Sequence, residues 1–134
     1  TKLIDELQLN NNCLLHHTVS NIAEKYCMSS IFVLSSRYEG FGLVLAEAMS
    51  CGIPCVSFDC PHGPSDIIKD YEDGLLVEKE NIKELADKIC YLIENENVRI
   101  KIGHKARENV KRFLPENVMP QWKNLFESLT YSSK

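Results

Sequence analysis

Residues 31–58 read IFVLSSRYEGFGLVLAEAMSCGIPCVSF, and this stretch decides the fold of the chain. Residues 31–34 are apolar and partly β-branched, which predicts a buried parallel strand. A polar loop with two glycines follows, and residues 43–51 then contain helix formers up to a Gly-Ile-Pro stop. Residues 54–58 are again apolar and β-rich. This order predicts a βαβ unit with parallel strands and a right-handed crossover.

The remaining residues continue the alternation of strands and helices. Further strands are predicted at residues 13–16 (CLLH) and 75–77, and helices at 1–9, 21–28, from 64, at 81–93, at 98–113 and from 115, the last interrupted near Pro120. This alternation predicts an α/β fold, a Rossmann-like parallel sheet flanked by helices. Residues 1–134 are interpreted as one domain with C-terminal helices from about 115. Trp122 lies on the apolar stripe of the last helix, which indicates packing.

Composition narrows the class of protein. A chain of 134 residues is long enough for one domain with its own core. The net charge of −4 gives no basic surface for nucleic acid or anionic lipid. No apolar run approaches the ~20 residues of a membrane span. The six cysteines form no C-x-x-C pair, which favours buried reduced thiols in a cytosolic protein over a zinc or disulfide framework.

Two carboxylates in the central unit are candidate site residues. Glu39 and Glu47 are separated by seven residues. Glu39 lies in the loop at the carboxyl end of a strand, where open α/β sheets bind ligands. Glu47 lies in an apolar helix, where a carboxylate is costly unless something pairs with it. The spacing leaves two interpretations of Glu47 open: a structural partner, or the hydroxyl of a ligand.

The glycine loop before the helix is a candidate anion site. Gly40 and Gly42 flank Phe41, and glycine suits a sharp turn because it tolerates positive φ. The same glycines would let a ligand approach main-chain amides at a helix N-terminus. Arg37 precedes Glu39 by two residues. It is open to three interpretations: a solvated cation, a partner of Glu39, or a cation that faces a diphosphate.

The segment SRYEGFGLVLAEAMSCGIPCVS, continued by GPSDII and DGLLV, resembles the E-x7-E signature of retaining group 1 (family 4) glycosyltransferases. The resemblance implies part of the C-terminal, donor-binding domain of a two-domain GT-B enzyme. It implies a catalytic role for Glu39 at the donor sugar and contacts from Glu47 to the ribose hydroxyls. The other donor-binding residues that it implies are Gly40, Phe41, Gly42 and Leu43 at sugar and phosphate and His17 near the nucleobase. We add Arg37 to the donor-binding residues as a cation that faces the diphosphate.

The resemblance also implies a larger sheet than this chain can supply. Folds of this kind order six strands 3-2-1-4-5-6, and the first two would precede Thr1. We therefore expect residues 31–34, 54–58 and 75–77 to form neighbouring parallel strands. Residues 13–16 should be detached from them, displaced, or paired with another chain, which leaves an unprotected edge. We also expect no turnover from residues 1–134 alone, because the acceptor domain would precede this segment.

The function implied is transfer of a sugar from a nucleotide diphosphate sugar, with retention, in polysaccharide or glycoconjugate synthesis. A UDP-sugar is the expected donor, and no cofactor or metal is expected because no Asp-x-Asp motif is present. The acceptor, a glycan or lipid-linked sugar, would bind through the missing N-terminal domain. A cytoplasmic location is expected, with that domain as the route to the inner face of the membrane. No nucleic-acid partner and no membrane span are expected.

Two alternatives stay open. A non-catalytic nucleotide-sugar-binding module gains weight because the segment lacks an acceptor domain. A GT-B-type nucleotide-sugar epimerase shares the fold, although the EGFG loop combined with E-x7-E argues against it.

Overall fold

The computed structural model describes residues 2–131 of the chain. Helices and parallel strands alternate between residues 22 and 94, as the hydrophobic pattern predicts, and helices alone follow. The elements are α1 (Lys2–Glu6), α2 (Ile22–Cys27), β1 (Phe32–Leu34), α3 (Leu43–Ser50), β2 (Cys55–Asp59), α4 (Pro64–Ile67), β3 (Gly74–Glu78), α5 (Ile82–Glu94), α6 (Glu96–Asn109), a 3-10 turn (Val110–Phe113) and α7 (Pro115–Tyr131).

The three strands form one parallel sheet in the order β1-β2-β3. Phe32 lies opposite Cys55, and Cys55 lies opposite Gly74, so the strands begin in register. The predicted neighbours and their parallel direction are therefore confirmed. Because all three strands run the same way, their carboxyl ends meet at one edge of the sheet.

The core lies on both faces of β2. On one face, Cys55 packs in a cluster with Leu45 and Met49 of α3 and Ile67 of α4. On the other face, Val56 packs in a second cluster with residues of β3, α5 and α6. Alternate residues of β2 thus enter opposite clusters, as the period of a strand requires. The result is a sheet with helices on both sides, which confirms the predicted α/β fold class.

Residues 13–16 do not form the predicted strand. The segment has no regular secondary structure, and the side chains of Leu14 and Leu15 are 80% and 67% exposed. A strand needs a neighbour for its main-chain hydrogen bonds, and among residues 2–131 the segment has none. The apolar run alone therefore misled the strand prediction. Its predicted detachment from β1 is confirmed, since β1 pairs only with β2 within the described range.

The C-terminal helices also differ from the sequence pattern. The helix predicted at 98–113 begins earlier and ends as a 3-10 turn. The last helix begins at Pro115 and continues through Pro120, so the predicted interruption is wrong. Pro120 costs the helix one amide donor, and the carbonyl of Glu116 left without it lies in an exposed segment where water can reach it. Trp122 stacks on Phe126 and is half exposed.

All six cysteines are unpaired. Cys55 and Cys60 are buried, as predicted, but Cys13, Cys27 and Cys90 are exposed. Burial raises the pKa of the Cys60 thiol, so this side chain resists ionisation. Between Lys2 and Tyr131, no helix combines the length and the apolar character that a membrane crossing requires.

Candidate active site

The candidate site lies at the edge where the carboxyl ends of the three strands meet. The loops at residues 35–42, 60–63 and 79–81 follow β1, β2 and β3 in turn. Open parallel sheets bind ligands at this edge because the loops and helix N-termini converge there. The predicted residues of the glycine loop all lie in the first of these loops or at the start of α3.

Side-chain contacts join the three loops. The ring of Tyr38 packs edge-on against the ring of His62, with centroids 6.3 Å apart. Arg37 Nε lies 3.1 Å from Glu80 Oε1. The structure thus pairs Arg37 with the loop after β3 and leaves the suggested pairing with Glu39 unmade. Both side chains of this ion pair are more than half exposed, so water screens it.

The N-terminus of α3 carries main-chain donors that the fold leaves free. Gly42 caps the helix with φ of 85°, a left-handed conformation that glycine adopts without strain. Its carbonyl accepts a hydrogen bond from the Leu45 amide at 2.8 Å. Within residues 2–131, the amides of Leu43 and Val44 have no hydrogen-bond partner. These donors and the positive end of the helix dipole favour an anion in front of the loop.

Gly40 differs from the other glycines of the site because the fold does not need it. A Cβ built on Gly40 would meet no atom within 4 Å, and its backbone is outside the positive-φ region. An alanine could occupy this position in the structure as it stands. The open space above Gly40 therefore suits the approach of a ligand to the main chain.

Phe41 is held in place from two sides. A Cβ on Gly63 would overlap the main-chain carbonyl of Phe41, and Gly63 has φ of 121°. The Phe41 ring packs edge-on against Phe113, with centroids 5.4 Å apart. Arg112, whose guanidinium lies 4.5 Å from the Phe113 ring centroid, donates to the Ile67 carbonyl at 2.6 Å. The 3-10 turn thus packs against the side chain of the glycine loop, and the residue that precedes α4 packs against its main chain.

Glu39 is partly buried in the loop that follows β1. Within the described range its carboxylate makes no hydrogen bond or ion pair. Its negative charge adds to the effect of burial in raising the pKa of the Cys60 thiol, so the two side chains lie within electrostatic reach. A carboxylate without a protein partner, four residues before the first helical residue of α3, is available to a ligand.

Glu47 has the structural partner that one of the two interpretations requires. The Tyr26 hydroxyl donates to Glu47 Oε2 across 3.1 Å. The other oxygen, Oε1, makes no hydrogen bond to any residue between 2 and 131, and it is not a buried unsatisfied atom. The structural partner therefore uses one side of the carboxylate and leaves the other side accessible. Nothing in the sequence signals this contact.

A groove joins several of the predicted residues. It has a volume of about 440 Å³ and is lined by Phe41, Leu43 and Glu47 together with residues of the 3-10 turn and α7. Phe113 and Leu114 belong to this lining, although no motif in the sequence marks them. Their position becomes visible only when the C-terminal segment folds back over α3.

His17 lies apart from the glycine loop. It lines a groove of about 730 Å³ whose other lining residues all come from positions 16–29. No residue of the loop at 35–42 contributes to that groove. The structure thus brings Phe41, Leu43 and Glu47 to one groove, and Glu39, Gly40 and Gly42 lie in the loop before α3. Arg37 lines a second groove with Glu80, and His17 lines a third.

Comparisons with known proteins identify the family of the chain. Residues 1–109 match the family described as glycosyl transferases group 1. The chain is 38% identical over 128 residues to a poly(ribitol-phosphate) alpha-N-acetylglucosaminyltransferase of Staphylococcus aureus, covering 95% of this chain and 26% of that protein.

Solved structures show the same likeness. A mutant of S. aureus TarM, in complex with Fondaparinux, alpha-GlcNAc-glycerol and UDP, superimposes with a TM-score of 0.88 at 37% identity, over 93% of this chain and 26% of that one. A sucrose-phosphate synthase of Thermosynechococcus elongatus superimposes with a TM-score of 0.87 at 28% identity, over 98% and 33% of the two chains.

The chain belongs to the group 1 glycosyl transferases. Its sheet and helices correspond to the C-terminal domain of a GT-B enzyme of that family. It spans about a quarter of the length of the S. aureus relative, 26%.

Proposed function

We propose that the whole protein transfers a sugar from a nucleotide diphosphate sugar to an acceptor, with retention, in polysaccharide or glycoconjugate synthesis. One observation carries this proposal. The free amides at the start of α3 follow Glu39 in the glycine loop, and Glu47, whose Oε1 is accessible, lies about one turn further along the same helix. This arrangement offers acceptors for sugar and ribose hydroxyls and donors for the diphosphate between them.

The chemistry follows from where charge develops. As the bond from sugar to diphosphate breaks, negative charge grows on the leaving diphosphate and the sugar gains oxocarbenium character. The amides of Leu43 and Val44 would stabilise the diphosphate, and the carboxylate of Glu39 would stabilise and position the sugar. Glu47 would bind the ribose. The exposed Arg37 could exchange Glu80 for the diphosphate at small cost.

The related proteins support the donor and the stereochemistry proposed. The TarM structure contains UDP and an alpha-GlcNAc-glycerol, and the name of the S. aureus transferase specifies an alpha product. Because common UDP-sugars are themselves alpha-linked, an alpha product means retention. We propose a UDP-sugar as the donor here, bound without a metal, and we assign His17 to the nucleobase end. An acceptor glycan or lipid-linked sugar, held by an N-terminal domain, and a cytoplasmic location stay predictions.

The test uses the full-length protein. A thermal-shift panel of UDP-, GDP- and ADP-sugars identifies the donor, and the labelled donor is then incubated with acceptor glycans in the presence and absence of EDTA. We expect a labelled glycoside whose formation is insensitive to EDTA and is lost in the Glu39→Gln variant. Binding without any product would favour a non-catalytic module. Conversion of the donor to its epimer, without an acceptor, would favour an epimerase.

A further inference from the structure

Tyr26 contacts the candidate site from a different helix. It lies near the end of α2, its side chain is 6% exposed, and its ring packs edge-on against Phe32 of β1 with centroids 5.6 Å apart. From this fixed position its hydroxyl reaches Glu47 Oε2 at 3.1 Å. The ring is thus set by the core while the hydroxyl faces the site.

The chemistry of this contact is that of a permanent donor. Burial, together with the nearby carboxylate of Glu47, raises the pKa of Tyr26 to about 12. The phenol therefore keeps its proton throughout the neutral range and can only donate toward Glu47. Because tyrosine is neutral, it orients the carboxylate and leaves its negative charge in place. An arginine or lysine at this position would cancel that charge.

We propose that Tyr26 is a positioning residue of the donor site, which occupies Oε2 of Glu47 and thereby presents Oε1 to a hydroxyl of the nucleotide. This inference rests on the proposed function, in which Glu47 binds the ribose. A glutamate side chain that is free to rotate loses rotamer entropy when a ligand fixes it. The Tyr26 hydrogen bond fixes it beforehand, so the nucleotide binds to a preorganised acceptor.

A purely structural role makes a different prediction. If the hydrogen bond only joined α2 to α3, its loss would lower the melting temperature and leave nucleotide affinity unchanged. Positioning acts on the ribose, which changes little during the reaction. Its loss should therefore raise Kd and KM alike and leave kcat nearly constant.

The experiment is a double-mutant cycle in the full-length protein. The variants are Tyr26→Phe, which keeps the ring and removes only the hydroxyl, Glu47→Gln, and the two combined. Tyr91→Phe, on the exposed side of α5, is the matched control. Calorimetry with UDP gives Kd, donor titration gives KM and kcat, and thermal unfolding reports the fold.

We expect Tyr26→Phe to raise Kd and KM by about two- to tenfold, since the nucleotide must then fix the Glu47 side chain itself. The value of kcat should stay within about twofold. In the Glu47→Gln background the same change should have little further effect, because there is no carboxylate left to position. Tyr91→Phe should bind UDP like the wild type.

Two results would overturn the inference alone. One is a Tyr26→Phe protein that melts earlier yet binds UDP as tightly as the wild type. The other is an effect on Kd that is equally large with and without Glu47. A wild-type protein that binds no nucleoside diphosphate would instead overturn the proposed function, and this inference with it.

Discussion

Gly63 lies so close to Phe41 that a single added carbon would overlap the Phe41 carbonyl oxygen. This contact fixes the spacing between two loops that follow neighbouring strands, one after β1 and one after β2. The glycine loop is therefore not a free surface loop, because its main chain rests on the start of α4. Several consequences of this arrangement can be measured.

Replacing Gly63 with alanine should disturb both the fold and the site. The substitution strains a backbone at φ of 121° and forces the Phe41 main chain to move. We expect a loss of at least about 1–3 kcal/mol in the free energy of unfolding, together with weaker nucleotide binding. Urea unfolding and UDP calorimetry measure the two effects. Wild-type stability in Gly63→Ala would mean that the main chains of the two loops are not in close contact.

Gly40→Ala should weaken donor binding without lowering stability, in contrast to Gly63→Ala. No atom lies within 4 Å of the added methyl group, so the urea midpoint should match the wild type. Donor affinity should nevertheless fall about tenfold or more, because the methyl group would stand where the ligand approaches the loop amides. Donor titration of the full-length variant checks this. Unchanged donor affinity would place the ligand elsewhere.

Substitution of the two glutamates should change different kinetic and binding constants of the full-length protein. Glu47→Gln should weaken binding of free UDP about ten- to a hundredfold, because a hydrogen bond to a charged group is lost. Glu39→Gln should lower kcat strongly and leave UDP affinity nearly constant, because its interaction grows in the transition state. Calorimetry and initial rates distinguish them. The reverse pattern would exchange the two roles.

Asp73 should be the carboxylate that matters most for stability. It is fully buried, its Oδ1 accepts from the Lys69 amide at 2.7 Å, and its Oδ2 accepts from Asn109 Nδ2 at 2.9 Å. Asp73→Ala removes the side-chain acceptor of the Lys69 amide and one of the two acceptors of the Asn109 amide, so we expect a loss of about 2–4 kcal/mol in the free energy of unfolding.

The control for Asp73 is Asp87→Ala. Asp87 forms an exposed ion pair with Lys83 within α5, and its loss should have little effect on the urea midpoint. Equal effects of the two substitutions would contradict the structural role of Asp73.

The free energy of unfolding at alkaline pH should depend on the ionisation of Tyr26. Its pKa is raised from 10.0 to about 12 in the folded protein, so folding disfavours the phenolate. The corresponding stability is fully present below pH 10 and is lost as the pH rises through about 12. Tyr26→Phe should remove this part of the pH dependence, up to about 2–3 kcal/mol. Urea titrations between pH 8 and about 12 compare the two proteins. Parallel curves would refute the assignment.

Local patterns in the sequence predicted most of the fold. The unit at residues 31–58 was identified because its apolar runs and its Gly-Ile-Pro stop are local signals. The start of α5 was equally readable, since Asn81 caps the helix by accepting from the Glu84 amide at 3.1 Å. The strand predicted at residues 13–16 was wrong because an apolar run becomes a strand only beside a neighbouring strand. The interruption predicted near Pro120 was wrong because an exposed helix tolerates the loss of one main-chain amide donor.

The supports of the site could not be predicted in this way. Tyr26 and Glu47 are 21 residues apart, and Arg112 and Ile67 are 45 residues apart. No period or spacing rule connects residues at such distances, because the fold itself brings them together. Glu39 and Glu47 could be named from their motif, whereas the tyrosine that orients one of them could not.

The open side of β1 has a practical consequence. β1 pairs with β2 along one side, and within residues 2–131 no strand covers the other. Unpaired amides and carbonyls on such an edge invite a strand from another molecule. A polypeptide of these 134 residues should therefore self-associate as its concentration rises. Light scattering over a dilution series would set the concentration below which measurements on the isolated segment describe single molecules.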